Sequence, residues 1–172
     1  MSEDSGSLHR FSSMASYQFL TTWLLDAPLE KVWAAIADYQ SLTTWWPAVA
    51  QVIALEPHGS EGVGSRWQMT WKTPLSYTLT FESKITRLEP PNLLELAASG
   101  DLEGTGRWEL SSTETGTMVR YYWTVSTTNS WMNLLAVFLR PLMEWNHNAI
   151  MRQGGQGLAQ FLGARLLTSS NG

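Results

Sequence analysis

The sequence predicts an α+β fold: a curved antiparallel β-sheet of six to seven strands wrapped around one long C-terminal α-helix, with two short helices after the first strand. Three observations predict it. From Gln51 to Thr127 the chain runs in strand-length segments of alternating apolar and polar residues, separated by clusters of turn formers. Between Asp26 and Val49 the spacing of apolar residues is helical, and Pro47 ends it. From Trp131 to Leu167 apolar residues return at helical spacing over a much longer stretch.

Composition bounds what such a fold can do. A chain of 172 residues with 44% hydrophobic residues suits one domain with a sizeable core. The formal charge of −4 comes with no run of Lys or Arg, so a footprint for a phosphate backbone is missing and no nucleic-acid partner is expected. The absence of Cys removes disulfides, thiolate metal sites and Cys nucleophiles together, which is compatible with a reducing, cytoplasmic setting. Ten Trp are more than a core of this size needs, and each indole N–H must find a partner when buried. Surplus indole is what a wide apolar pocket would use. Met1 to Ser16 is polar and Ser-rich, with no secretory signal, and reads as a disordered lead-in to a single domain over 17–166, with 167–172 as a tail. Leu134 to Leu139 is too short to span a bilayer, so no stable membrane insertion is expected.

In chain order, Tyr17 to Leu25 reads as the first strand, with Phe19, Thr21, Trp23 and Leu25 on one face. Asp26 is expected to cap a helix with Pro28 in its first turn and Val32, Trp33, Ile36 and Ala37 buried. A second helical piece from Ser41 carries Leu42, Trp45, Trp46 and Val49. Strands follow over Gln51 to Leu55, Ser65 to Lys72, Tyr77 to Ile85 and Leu93 to Ala98, with Pro90 and Pro91 closing the third of these. Asp101 to Gly106 reads as a Gly-punctuated turn, and Arg107 to Ser111 pairs with Met118 to Thr127 around Glu114-Thr115-Gly116. The connections are too short for parallel crossovers, so the sheet is an antiparallel meander. In the last helix Met143, His147, Ile150, Met151, Gly154, Leu158 and Phe161 share one side, and Trp145, Arg152, Gln156 and Gln160 the other. Pro141 is expected to start it, leaving Trp131 to Leu139 as a separate apolar piece.

The inward strand positions Trp67, Met69, Trp71, Tyr77, Leu79, Phe81, Trp108, Tyr121 and Trp123 would project from the concave face toward Met143, His147 and Met151. Flat rings and soft sulfur suit an apolar ligand, because both adapt to shape without demanding directional bonds. The same side chains would equally serve as a completely filled core. His147 is the candidate catalytic residue: an imidazole near its ordinary pKa of about 6.5 can pass a proton at neutral pH. Against that stands a structural role, in which Asn146 and His147 tie the helix to a neighbouring element through hydrogen bonds. For Tyr77 and Tyr121, orienting a ligand oxygen competes with bonding a backbone carbonyl. Alternation places Arg66 and Arg107 outward, and Asp101 and Glu103 suit turn capping or ion pairing. Gly62-Val63-Gly64 precedes a strand and is followed by no Lys, which speaks against a nucleotide loop. His9, His58 and His147 stand in separate contexts, so neither a metal nor a cofactor is expected. No Ser lies in a Gly-x-Ser-x-Gly turn. Gly154, Gly155 and Gly157 cost helicity, about 1 kcal/mol each relative to Ala, which suggests close approach to the sheet or a kink.

Certain segments carry a family resemblance: Asp26-Ala27-Pro28-Leu29-Glu30-Lys31-Val32-Trp33, Trp45-Trp46-Pro47, Gly62-Val63-Gly64, the stretch from Gly100 through Gly104 and Gly106 to Trp108, and Trp145-Asn146-His147 with Met151 and Gly157-Leu158. Over Tyr17 to Leu166 the chain resembles the helix-grip fold of the SRPBCC superfamily, which includes START lipid-transfer domains and birch-pollen-allergen relatives, and within it the polyketide cyclase/dehydrase-like proteins. The resemblance implies a cavity between sheet and helix that binds lipids, hormones, polyketides or quinones. It favours binding or carriage of a hydrophobic small molecule by a monomer or homodimer. A cyclase/dehydrase using His147 as general acid/base is the alternative, and a protein-interaction module using Trp131 to Leu139 a further one.

Overall fold

The computed structural model describes residues 16–55, 62–128 and 136–172. The lead-in before Ser16, His9, His58 and the segment 129–135 lie outside the described residues, and with them most of the Trp131 to Leu139 piece. In chain order the elements are β1 (Ser16–Leu25), α1 (Leu29–Ala37), a 3-10 turn (Tyr39–Ser41), α2 (Leu42–Trp45), β2 (Val49–Ala54), β3 (Arg66–Lys72), β4 (Thr78–Glu89), β5 (Leu93–Gly100), β6 (Leu102–Thr113), β7 (Gly116–Thr127), α3 (Ala136–Phe161) and β8 (Leu166–Asn171).

The strands form one eight-stranded antiparallel sheet in the order β2-β3-β4-β5-β6-β7-β1-β8. The meander from β2 to β7 follows from the short connections. Register shifts between Ile85 and Arg87, and between Val49 and Gln51, add the local bends that curve the sheet. Alternation is clearest along β1, β3, β6 and β7 and is absent from the short edge strands β2 and β8: Trp23, Leu25, Val119, Val125 and Leu110 are buried, while Arg66, Arg87 and Arg107 point outward. There Arg66 bonds Glu82, and Arg107 bridges Glu95 and Glu109. α3 packs against α2, β1 and β8. This is the expected helix-grip α+β architecture.

Several expectations are corrected. The sheet has eight strands, because the segment 167–172 is not a tail but most of β8, which pairs with β1. Its polar Ser-Ser-Asn sequence suits an edge position. Beyond its ladder with β1, Leu20 and Gly172 exchange backbone hydrogen bonds at 2.8 and 3.0 Å, and the Thr21 hydroxyl donates to Asn171 Oδ1 at 2.7 Å. Asp26 does not cap α1, whose N-cap is Pro28. It accepts from Arg165 at 2.9 Å and so fixes the start of β8. The segment from Leu102 to Gly106 is strand rather than turn: a Cβ on Gly104 would lie 2.0 Å from the Thr124 carbonyl oxygen, so glycine there permits close pairing of β6 with β7. Pro141 lies inside α3 rather than at its start, where its missing N–H leaves one helical hydrogen bond unmade. α3 ends at Phe161, which is exposed rather than buried.

Candidate functional site

Between the concave face of the sheet, α3 and the α1/α2 pair lies a hollow of about 130 Å³. One water needs roughly 10–15 Å³ by the same measure, so there is room for several waters or for a small ring system. Of the expected ligand contacts, Met69, Trp71, Tyr77, Leu79, Phe81, Trp108, Tyr121, Trp123, Met143, His147 and Met151 all border it. Trp67 does not. The 3-10 turn brings Tyr39 over it, the two rings stack with centroids 5.6 Å apart, and Trp67 becomes core.

The aromatic wall is continuous. Trp71 stacks parallel to Phe81 at 6.4 Å, Phe81 meets Trp123 at 5.8 Å, Trp123 meets Tyr121 at 5.8 Å, and Tyr121 stacks on Trp108 at 4.0 Å. Gly106 makes this possible, since a Cβ there would stand 2.9 Å from the Tyr121 hydroxyl and 3.1 Å from the Trp123 ring. Trp46 stands edge-on to Trp71 at 4.9 Å, and its indole N–H donates to the Ile150 carbonyl at 3.0 Å, joining α2 to α3. The glycines of α3 answer the same need for closeness. A Cβ on Gly154 would sit 2.4 Å from the Trp46 ring, one on Gly155 2.9 Å from the Trp23 indole nitrogen, and one on Gly157 1.8 Å from the Trp45 carbonyl oxygen. Close approach, to α2 as well as to the sheet, is their observed use.

One end of the hollow is polar. Asn146 Nδ2 donates to the Tyr77 hydroxyl at 3.3 Å, and that hydroxyl donates to the Met143 sulfur at 3.6 Å. Tyr77 therefore bonds side chains of α3 rather than a backbone carbonyl. Burial pushes the pKa of Tyr121 well above the ordinary phenol value. Tyr39 is pushed up to about 12 by burial, partly offset by its bond to the Ser83 hydroxyl at 3.1 Å.

His147 stacks on Phe19 at 4.0 Å, with its Nε2 shut away from water and unpartnered among the described residues. Burial lowers its pKa to about 4. The imidazole therefore stays neutral at pH 7 and well below it, whereas the ordinary value assumed from the sequence would let it exchange a proton near neutrality. Asn146 Oδ1 and the indole N–H groups of Trp23, Trp45 and Trp71 are likewise buried without partners among the described residues, so the expectation that each buried indole finds one is not met. Neither Lys, Arg, Asp nor Glu borders the hollow among those residues.

Fourteen further residues border the hollow that the sequence did not single out as ligand contacts, Tyr17, Phe19, Tyr39, Trp46, Ser83 and Asn146 among them. For Tyr17 the signal was present, since it continues the alternation of Phe19, Thr21 and Trp23. Asn146 is only 4% exposed although it stands between outward-facing Trp145 and inward-facing His147. A helical projection alone leaves such a flanking position undecided.

Residues 18–162 match the family model described as polyketide cyclase / dehydrase and lipid transport. The chain belongs to this family. Solved structures share the fold at low identity. The di-domain ARO/CYC BexL from the BE-7585A biosynthetic pathway aligns with a TM-score of 0.68 and 21% identity, over 88% of this chain and 51% of BexL. The di-domain ARO/CYC StfQ from the steffimycin pathway gives 0.62 and 16%, over 87% and 53%. Ara h 8.0201 gives 0.56 and 17%, over 84% and 99%. This family member thus spans about half the length of the two di-domain proteins. No curated protein matches the sequence. Among the described residues no helix is long and apolar enough to cross a membrane.

Proposed function

We propose that the protein encloses a hydrophobic small molecule, lipid-like or polyketide-like, in the hollow between its sheet and α3. The observation that supports this is the hollow itself, walled by stacked rings and thioethers and bordered by no charged side chain among the described residues. Apolar surface of this kind gains from excluding water, and it asks of a guest mainly size and shape. The contacts would come from the eleven bordering residues expected from the sequence, together with Tyr17, Phe19 and Asn146. The protein would act in the cytoplasm as a monomer or homodimer.

The family description joins cyclase/dehydrase chemistry with lipid transport. Binding or carriage fits this site better. A general acid/base works best with a pKa near the operating pH, and an imidazole held at about 4 has no proton to give at pH 7 and little basicity. His147 then serves as part of the wall.

Native mass spectrometry of the purified protein tests the reading. The expected result is a released apolar compound, or uptake of added naphthalene, either of which is lost in Leu79→Trp, a variant that fills the hollow. A protein that carries nothing and takes up no naphthalene would contradict it. Turnover of an aromatic polyketide that disappears in His147→Ala would instead favour the enzyme.

A further inference from the structure

From the polar end of the hollow we infer that Asn146 is a specificity residue, and that the cavity takes uncharged apolar molecules bearing a hydroxyl group in preference to pure hydrocarbons and carboxylates. This inference rests on the ligand-binding reading above.

Three observations carry it. First, Asn146 is 4% exposed and borders the hollow, and its Oδ1 has no partner while its Nδ2 is already used by Tyr77. An acceptor stripped of water and left unpaired is unfavourable, and folding alone gives it nothing in return. A guest that donates a hydrogen would supply the missing bond. Second, His147 borders the same hollow and its Nε2 is also buried without a partner, so the wall holds another unsatisfied polar atom. A hydroxyl donates one hydrogen bond, which is what the Asn146 oxygen lacks. Third, no cation borders the hollow among the described residues, so a carboxylate entering it would lose its hydration without gaining a counter-ion. The burial that keeps His147 uncharged at pH 7 works in the same direction.

Four probes of one ring system separate these statements: naphthalene, 2-naphthol, 2-methoxynaphthalene and 2-naphthoate, titrated at pH 7 and followed by quenching of Trp fluorescence. Wild type is expected to bind 2-naphthol about tenfold more tightly than naphthalene or the methoxy compound, as one neutral hydrogen bond allows, with 2-naphthoate the weakest. Asn146→Leu is expected to abolish the preference, so that 2-naphthol binds no more tightly than naphthalene. Should that variant fail to fold, Asn146→Ser replaces it with the same expectation of a reduced ratio. Equal binding of 2-naphthol and naphthalene by wild type would overturn the inference while leaving the apolar cavity intact, as would a preference that survives the substitution. Equal binding of 2-methoxynaphthalene and 2-naphthol would overturn the donor role. Failure of all four to bind would overturn both this inference and the proposed function.

Discussion

Beyond Met151, α3 presses three glycines against Trp46, Trp23 and the Trp45 carbonyl and buries Leu158 completely. Before Ile150 the same helix holds Asn146 and His147 over the hollow on one side and leaves Phe138, Leu142 and Trp145 in the open on another. The two halves differ in what their costs return. Each glycine gives up about 1 kcal/mol of helix propensity relative to Ala, and close packing of indoles offsets it within the folded chain. The unpartnered Asn146 Oδ1 and His147 Nε2 give up hydrogen bonds that no described residue returns, a cost shared by the Trp23 and Trp45 indole N–H groups beside the far half, but only Asn146 and His147 belong to the stretch of the helix that faces the hollow. The far half of α3 is thus an anchor, and the near half is the part of the helix that a guest would complete.

Substitutions can break that contrast, and the largest effect belongs to the anchor. In Gly157→Ala the new methyl would fall 1.8 Å from a backbone oxygen, which cannot rotate away as a side chain can. α2 and α3 must then separate, and a loss of about 3 kcal/mol in denaturant unfolding is expected. A change within about 0.5 kcal/mol would show that the two helices are not locked at this point.

The effect next in size sharpens the near half. The neutral form of His147 is favoured in the folded protein, with a pKa of about 4 against the ordinary 6.5 of the unfolded chain. Between those values the unfolded state binds a proton that the folded state refuses, so stability falls as pH drops through this window. The contribution is fully present above about pH 6.5 and is lost toward pH 4, on the order of 3 kcal/mol in all. Unfolding of wild type and His147→Phe, compared at pH 7 and pH 4.5, isolates it from the carboxylates, because the variant should lack this part of the acid sensitivity. Identical pH dependence in the two proteins would mean that His147 is not shut away from water.

The smallest effect lies on the outer side of the near half. Trp145 is 54% exposed, and Trp145→Ala is expected to change unfolding free energy by less than about 0.5 kcal/mol and leave ligand uptake unaltered. Substantial destabilisation would show that this indole packs as the anchor residues do.

The same contrast explains what could be read from the sequence. Strand alternation such as Trp67-x-Met69-x-Trp71 reports which side of a sheet a residue occupies, and it placed nearly the whole aromatic wall. It does not report what lies above that side, and so it could not show Tyr39 covering Trp67. β8 was illegible because its partner β1 is far away in sequence and its own residues are mostly polar, so only long-range hydrogen bonds define it. Gly104 and Gly106 resembled turn residues because glycine marks both turns and close backbone approach, and only the neighbouring strand distinguishes the two. His147 was found on the right face, but its pKa depends on the Phe19 ring and on lost solvent, neither of which a helical wheel contains.

The account turns on the hollow being able to receive a guest. The most direct measurement is an anomalous difference map from crystals of the protein soaked in 6-bromo-2-naphthol. The account predicts a bromine peak within the ring of Trp71, Phe81, Trp123 and Tyr121, with the hydroxyl toward Asn146. A map in which those side chains fill the interior, with no bromine inside the sheet, would contradict it.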